Sequence, residues 1–348
     1  MADLSVNIDT EDDPDGELRV PLSVLDLATV SEGATSSSAL ADTVAFAKRA
    51  DELGYLRFWV AEHHNMETVA STSPSVLIAH LASVTNTIAV GSGGVMLPNH
   101  APLAIAEQFA LLEALHPGRI DLGIGRAPGS DPGTAAALRR TDSLSAEDFP
   151  RDLLDVMGLL GDVRTEHGLW ERFRATPSAT SAPRVMLLGS SDYSARLAGM
   201  LGLPFAFANH FDTGGTLQAV DIYRNEFRAS SILDEPYTMV SAGVIAADSD
   251  EEGDRLANPS RIRKFGMRTG RISPLVSPEA ALSHPHLEPA RAMPSNGFFG
   301  SVETVVEGLG ALAAKTAATE LMIQCPTHTL EQRLHSIDLI ASAWGQGS

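Results

Sequence analysis

Short apolar runs alternate with longer amphipathic segments along most of this 348-residue chain. Short apolar runs bounded by turn residues indicate buried strands, and apolar residues spaced by three or four positions indicate helices. Because strand and helix alternate eight times, the pattern predicts a (β/α)8 TIM barrel in the α/β class rather than a doubly wound sheet. The predicted strands span residues 21–26, 56–62, 87–93, 119–124, 184–189, 204–208, 237–246 and 319–324.

The segments between these strands carry helix start and stop signals. Residues 38–54 are predicted to form one helix that ends at Gly54, a residue type common just after helices. The apolar stripe of this helix is predicted to consist of Leu40, Val44, Ala47 and Ala50. Further helices are predicted to begin at Pro74, Pro102, Ser191 and about Leu330.

Two connections are longer than ordinary loops, and no linker divides the chain. Residues 125–146 and residues 250–300, the latter including a Pro/His-rich stretch, each follow a predicted strand. The prediction is therefore one domain over residues 20–348, with long loops after strands four and seven and an insertion at about 250–300. Both loops would lie at the C-terminal mouth of the barrel, where barrel enzymes do chemistry. The acidic residues 1–19 are expected to form a flexible tail.

Composition narrows the possible partners and the compartment. The formal net charge of −19 opposes binding to nucleic acid and to anionic membranes, and no apolar run approaches the roughly 18 residues of a membrane span. The single cysteine, Cys325, excludes an intramolecular disulfide and a multi-cysteine metal site. The segment at the N-terminus lacks the order of a signal peptide, so a cytoplasmic protein is expected.

The loop after strand four, "DLGIGRAPGSD" at residues 121–131, contains three closely spaced glycines. A dinucleotide fingerprint requires G-x-G-x-x-G at the start of a helix, but here Gly129 comes one residue late and Pro128 stands where the helix would begin. Two interpretations remain open. The glycines either serve a tight turn, or the loop holds an anion through Arg126.

The next strand is followed by "LLGSSDYSARLAG", residues 187–199, in which Ser190, Ser191 and Ser194 lie at a helix start. Free amide hydrogens and the helix dipole make such a start an anion site, although Ser191 or Asp192 could instead cap the helix. Because loops four and five are neighbours in a barrel, we hypothesise that Arg126 and these serines bind one phosphate.

The stretch "WVAEHHNMETVASTSP", residues 59–74, follows strand two. Adjacent side chains on a strand point to opposite faces, so His63 and His64 are not expected to share a metal, and no metal site is predicted. One histidine should face the mouth while the other packs outward, with Glu62 as its candidate partner. Further mouth candidates follow strands three and six, namely Asn99, His100, Asn209 and His210.

The end of strand three, "GSGGVMLPNHAP" at residues 91–102, contains the consecutive glycines Gly93 and Gly94. Such a pair indicates a bulge, a backbone pressed against a flat ligand, or an ordinary glycine-rich turn. The helix that follows, "PLAIAEQFALLEALHPG", is apolar on more than one face. A helix buried on two sides packs on its barrel and on a partner subunit, which predicts a homodimer.

Together these stretches resemble the bacterial luciferase-like flavin monooxygenases. The most specific blocks are "AEHHN", "GSGGVMLPNHAPLAIAEQFALLEALHPGRIDLGIGRAPGSD" and "LLGSSDYSARLAGMLGLPFAFANHF". The resemblance covers nearly the whole chain except the N-terminal tail and residues 260–295. It implies a luciferase-like barrel that receives FMN as reduced FMNH2 from a separate NAD(P)H:flavin reductase. With O2 it would oxygenate a small organic substrate, which the sequence does not identify, through a flavin 4a-hydroperoxide.

The resemblance also implies roles for particular residues. His63 corresponds to the histidine that acts as acid or base in the flavin–oxygen chemistry, and Gly93–Gly94 to a non-prolyl cis peptide beneath the flavin ring. The residue of luciferase corresponding to Gly125 is a cysteine, so that thiol is absent here. The phosphate-binding residues of the family correspond to Arg126, Ser190, Ser191 and Ser194.

Two alternatives remain open at the level of sequence. Relatives on the same fold transfer hydride with a deazaflavin, whose longer tail needs additional basic residues. Others bind flavin without catalysis, although the retained "EHH" favours an enzyme.

Overall fold

A computed structural model describes residues 19–127, 131–139, 148–211 and 214–346. Its parallel strands close into a (β/α)8 barrel, which confirms the predicted fold. Each of the eight predicted strands is present, with bounds that differ by at most three residues. The strands are β1 (Leu22–Asp26), β2 (Arg57–Val60), β3 (Ala89–Met96), β4 (Ile120–Gly125), β5 (Arg184–Gly189), β6 (Phe205–Phe207), β7 (Thr238–Ala247), β8 (Phe298–Ser301) and β9 (Glu320–Gln324).

All strands except β8 form the barrel wall. From β1 to β7, each strand of the wall pairs with its neighbour in sequence, and β9 closes the ring between β7 and β1. The helices are α1 (Ser36–Glu52), α2 (Pro74–Val84), α3 (Pro102–Leu115), α4 (Pro132–Arg139), α5 (Phe149–Leu159), α6 (Asp192–Leu201), α7 (Thr216–Glu226), α8 (Asp250–Arg268), α9 (Pro278–Leu282), α10 (Leu287–Arg291), α11 (Val302–Thr316) and α12 (Leu330–Trp344). None of these described helices has the length and apolar character that a membrane crossing requires.

In the first helix, the local sequence sets the start of the helix and tertiary contacts decide which face is buried. Thr35 caps α1 in a capping box with Ser38, which satisfies backbone donors at the helix start. The predicted stripe is only half right, because Leu40 and Val44 are half-buried. The buried face is Ala39, Thr43, Phe46, Ala47 and Ala50. Thr43 is drawn inward because its hydroxyl donates a hydrogen bond of 2.6 Å to Asp26.

The long connection after β7 is more ordered than the sequence suggested. Its first 19 residues form α8, which begins after the capping Ser249 and carries three acidic residues in its first turn, both favourable at a helix N-terminus. The irregular part is confined to residues 269–297, which contain α9 and α10. The unpredicted β8 extends the sheet beside the C-terminal half of β7. Residues 1–18 of the predicted tail, and residues 128–130 and 140–146 of the loop after strand four, lie outside the described residues.

A buried ionic cluster fills the N-terminal end of the barrel. Arg57, at the start of β2, donates hydrogen bonds to Glu320 at 3.0 and 3.1 Å and to Asp121 at 3.0 Å. Arg184 donates to the second oxygen of Asp121 at 2.6 Å, and the hydroxyl of Tyr237 bonds to Glu320. These partners come from β2, β4, β5 and β9 and from the residue before β7. The opposite, C-terminal end of the barrel is therefore the end that remains open for a ligand.

Candidate active site

A cavity of about 340 Å³ lies at the C-terminal ends of the barrel strands. We call it the inner chamber. Its walls are mainly apolar, because the inward side chains at these strand ends are hydrophobic. They include Leu25, Leu27, Trp59, Leu188, Met239 and Met322.

Arg126 and the serines Ser190, Ser191 and Ser194 all line one end of the inner chamber. They meet because β4 and β5 are neighbouring parallel strands, so the residues that follow them emerge at the same rim. The Arg126 guanidinium lies 4.3 Å from the centre of the Tyr193 ring, an arrangement typical of a cation–π contact. No carboxylate of the described residues forms an ion pair with Arg126. The charge of this arginine is thus available to an anion.

The start of α6 is also open to an anion. The Ser191 side chain does not cap the helix, contrary to one of the two interpretations left open by the sequence. Instead the Ser194 hydroxyl donates a hydrogen bond of 2.9 Å to the Ser191 carbonyl. The first-turn amides of α6 therefore lack a side-chain cap beside Arg126, which is the arrangement that binds phosphate at helix N-termini.

The peptide bond between Gly93 and Gly94 is cis, as the resemblance implies. The pairing of β3 with β4 shifts register between Gly93 and Val95, which favours a bulge among the alternatives left open by the sequence. A Cβ atom at Gly94 would lie 2.8 Å from the carbonyl oxygen of Gly123 on the neighbouring strand, so only glycine fits there. Both glycines line the inner chamber and give it one flat wall of bare backbone.

The two adjacent histidines face different environments, as predicted, although both lie beyond the end of β2 at Val60, where strand alternation no longer applies. His63 lines the inner chamber, whereas His64 Nε2 lies 2.8 Å from Glu62 Oε1. His100 Nε2 lies 2.7 Å from the same oxygen, and the Met96 amide donates to the other oxygen at 3.0 Å. Burial raises the pKa of Glu62, but the hydrogen bonds from His100, Met96 and His64 outweigh it and hold the pKa below its usual value.

The sequence does not predict that His64 and His100 share Glu62 as a partner. Glu62, His64 and His100 bring potential ligand atoms within 4.8 Å of one another. Their mutual hydrogen bonds already satisfy the buried carboxylate, so the geometry is accounted for by a structural network that fixes the loops after β2 and β3.

Of the four further mouth candidates, His210 lines the inner chamber. Its Nδ1 atom lies 2.5 Å from the Ser241 hydroxyl, which itself donates to the Phe207 carbonyl at 3.2 Å. The hydroxyl therefore accepts from Nδ1–H, and the Nε2 lone pair of His210 is left as a hydrogen-bond acceptor. Burial, followed by the nearby Lys264 ammonium, lowers the pKa of His210 to about 4.

The other polar candidates have structural contacts. Asn209 is buried, donates to the Ser241 carbonyl at 3.1 Å and accepts from Thr216 at 2.7 Å, so it ties the end of β6 to β7 and α7. His100 belongs to the Glu62 network described above. Cys325 is buried away from the chamber, and burial raises the pKa of its thiol to about 12. This thiol behaves as a small apolar side chain.

The neutral, half-buried His210 predicts that acid weakens the fold. Its pKa in the folded protein, about 4, lies below the ordinary value of 6.5. The unfolded chain therefore binds an additional proton between these pH values, and the free energy of unfolding falls as pH decreases from 6.5 towards 4. The His210→Gln variant lacks this titration and should show a shallower loss of Tm. Thermal melts across this pH range test the prediction, and identical slopes for variant and wild type would contradict it.

A second cavity, of about 400 Å³, adjoins the first and shares Leu27, His63, His210 and Phe211 with it. We call it the outer chamber. It is bounded by α8, by the segments after β1 and β9, and by residues close to β8. Its lining includes Arg263 and Lys264, which sequence reasoning missed, as it missed Tyr193. A signal was present in "RIRKFGMR", residues 261–268, where four basic residues occur in an otherwise acidic chain.

Comparison with known proteins agrees with this geometry. Residues 20–320 match the family described as luciferase-like monooxygenase. A luciferase-like monooxygenase of Escherichia coli strain K12 is 41% identical over 92% of this chain and 96% of its own length. The YvbT protein of Bacillus subtilis strain 168 is 44% identical over 93% of this chain and 96% of its own length. The crystal structure of apo-MsnO8 superposes with a TM-score of 0.88 at 36% identity, covering 94% of this chain and 99% of the other.

More distant structures share the fold. The oxygenating constituent of a 3,6-diketocamphane monooxygenase from Pseudomonas putida, solved with FMN, gives a TM-score of 0.69 at 19% identity and covers 93% of this chain and 97% of its own. An F420-dependent secondary alcohol dehydrogenase gives 0.67 at 12% identity, with 93% of this chain and 99% of its own covered. The fold alone therefore accommodates more than one flavin-type cofactor.

Proposed function

This chain belongs to the luciferase-like monooxygenase family, and from that premise we propose that it is a flavin-dependent monooxygenase. It uses reduced FMN and O2 to oxygenate a small organic substrate. The observation that carries the proposal is the inner chamber, which has a cationic, amide-lined end at Arg126 and α6 and a titratable side chain, His63, elsewhere on its wall. A phosphate-bearing flavin is the ligand that matches this distribution of charge.

The residues of the inner chamber fit FMN at both ends of the molecule. Arg126, Ser190, Ser191 and Ser194 would hold the phosphate by charge and hydrogen bonds. The glycine backbone at Gly93–Gly94 and the apolar walls would receive the flat ring system. Any side chain at Gly94 would disturb this flat wall, because the added Cβ atom would clash with the backbone of β4.

Reduced flavin supplies the two electrons and the reactivity towards O2 when it is bound. The chain itself orients the ring, excludes water with its apolar walls and supplies a proton donor or acceptor. His63 lines both chambers, so its imidazole would be placed to exchange protons with a flavin bound in the inner chamber and with a substrate beside it. His210, neutral at physiological pH, offers a hydrogen-bond acceptor on the same boundary.

The proposal is tested by anaerobic titration of the purified protein with reduced FMN, followed by mixing with oxygenated buffer. Saturable binding, and reoxidation kinetics that differ from those of free reduced FMN, are expected. A protein that binds FMN but leaves its reaction with O2 unchanged would be a flavin-binding protein and not an enzyme.

Deazaflavin dependence is the second candidate, because an F420-dependent enzyme shares the fold. A parallel titration with reduced F420 separates the two, since tighter binding of F420 than of FMN would favour hydride transfer without oxygen. We also propose that a separate NAD(P)H:flavin reductase supplies the reduced flavin. Steady NADH or NADPH oxidation by the purified chain alone would contradict this part of the proposal.

The Arg126→Met variant is expected to bind FMN about 10–100-fold more weakly, the cost of losing a hydrogen bond to a charged group. Riboflavin has the same ring system but no phosphate, so its affinity should be nearly unchanged. Fluorescence titration of both flavins against both proteins gives the comparison. Equal loss of affinity for FMN and riboflavin would show that Arg126 acts on the fold or the ring rather than on the phosphate.

We also propose a homodimer built on α2 and α3. Val76, Leu111 and Leu115 are 69%, 49% and 59% exposed, which leaves an apolar surface on helices that already pack on the barrel. Light scattering at micromolar concentration tests the assembly, and a monomer would refute it.

A further inference from the structure

The outer chamber carries positive charge that the described part of the chain does not neutralise. Arg263, Lys264 and Arg268 line it from α8. Arg263 donates a hydrogen bond of 3.3 Å to the Thr29 hydroxyl, and no carboxylate of the described residues forms an ion pair with any of these three cations. Arg263 and Lys264 are half-buried, so water compensates their charge only in part.

Other basic residues of the same helix are paired. Arg255 bonds to Glu252 and Glu279, and Arg261 contacts Asp254 at 2.7 Å. The chain has 44 acidic and 25 basic residues, so carboxylates were abundant as possible partners. Burial lowers the pKa of Arg263, and burial together with Arg268 lowers that of Lys264. Within α8, the cations that lack a described carboxylate partner are therefore those that line the outer chamber, where they offer a binding feature for an anion.

The rest of the outer chamber is suited to an apolar group. Met66, Val69, Leu275 and Phe299 contribute hydrophobic side chains to the same cavity. A ligand that satisfies both parts carries an apolar chain or ring together with an acidic group. Small inorganic anions would leave the apolar walls uncovered, and a neutral hydrocarbon would leave the cations unpaired.

The position of the cations separates them from the cofactor's phosphate. In the ring order of the barrel, β4 and β5, which position Arg126 and α6, lie opposite β9 and β1. The outer chamber is built on the β9 and β1 side, through Thr29, Gln324 and Pro326, with α8 above it. A tail that continues from the cofactor's phosphate would leave the barrel on the other side, so these cations do not suit a deazaflavin tail.

We propose that the outer chamber is the substrate site and that the substrate is an organic acid, with an apolar body and a carboxylate or sulfonate held by Arg263 and Lys264. This inference rests on the proposed flavin-dependent function. The boundary formed by His63 and His210 places the apolar body next to the flavin chamber, with the acidic group directed towards α8.

The test uses acid–alcohol pairs of matched shape as probes: octanoate with octanol, and hydrocinnamate with hydrocinnamyl alcohol. Isothermal titration of the FMN-loaded protein should show that at least one acid binds about tenfold or more tightly than its alcohol. The Arg263→Met variant should lose about tenfold or more of that affinity, and Arg263→Lys should retain most of it. Arg255→Met, on the same helix but in an ion pair outside the chamber, is the matched control and should bind the acids like the wild type.

Two results would overturn the inference. If neither acid binds more tightly than its alcohol, the outer chamber has no anion site. Weaker FMN binding by Arg263→Met, with acid binding unchanged, would assign the cations to the cofactor. Circular dichroism melts of each variant verify that it is folded before titration. If the acids bind but the protein does not change the rate of flavin oxidation, only the monooxygenase proposal is wrong. If the protein changes flavin oxidation but the acids do not bind, only the organic-acid proposal is wrong.

Discussion

Replacing His63 by glutamine is expected to slow the oxygen-dependent turnover of bound reduced FMN by about 10²–10⁴-fold, the usual contribution of a positioned acid or base. His63 lines both chambers, so its imidazole lies between the proposed flavin and substrate sites. Glutamine keeps a hydrogen-bonding side chain of similar size but does not titrate near neutral pH. The affinity for FMN should stay within about threefold, because the lost interaction belongs to the reaction and not to ground-state binding.

Rapid mixing of each anaerobic protein–FMN complex with oxygenated buffer gives the rate, and its pH profile should lose the limb attributed to the histidine. His64→Gln is the control, because a glutamine there can still donate to Glu62 while facing away from the chamber. Wild-type kinetics in the His63→Gln variant would show that His63 is not the acid or base of the reaction. If His210→Gln were then inactive, the proton transfer would belong to His210 instead.

Replacing Arg57 by methionine is expected to destabilise the protein by about 3–5 kcal/mol and to lower its Tm by about 6–20 °C. Arg57 is 2% exposed and is the shared partner of Asp121 and Glu320, both fully buried. Burial raises the pKa of Asp121, but Arg57 and Arg184 outweigh it and hold the pKa low. Without Arg57, Glu320 keeps only the hydroxyls of Tyr237 and Ser23 as described side-chain partners, and hydroxyls compensate a buried charge poorly.

Thermal and denaturant unfolding of the variant gives the magnitude. Arg49→Met provides the matched comparison, because Arg49 pairs with Asp338 and Glu52 at the surface and its loss should cost about 0–1 kcal/mol. Combining Arg57→Met with Glu320→Gln should restore part of the stability, since the second change removes one uncompensated charge. An Arg57→Met protein that melts like the wild type would mean that the cluster contributes nothing to stability.

Local sequence was sufficient for the barrel. Each strand of the barrel wall is a short apolar run bounded by turn residues, and the helix starts at Pro74, Pro102 and Leu330 follow from capping and proline preferences that act within one turn. The juxtaposition of Arg126 with Ser190, Ser191 and Ser194 was also accessible, because consecutive parallel strands place their following loops side by side. The position of His63 on the chamber wall agrees with the family resemblance, whereas strand alternation does not account for it, because β2 ends at Val60.

Tertiary structure alone decided the features that depend on distant partners. The buried face of α1 includes Thr43 and not the predicted Leu40, because Thr43 bonds to Asp26. Arg57 pairs with Glu320, which lies 263 residues away in the sequence. The outer chamber draws on Thr29, Arg263 and Gln324, which no local pattern connects. Hydrophobic periodicity records which side of an element turns inward. Burial of a charge, its pairing and its pKa depend on which other elements arrive at the same point, and that is set only when the barrel closes.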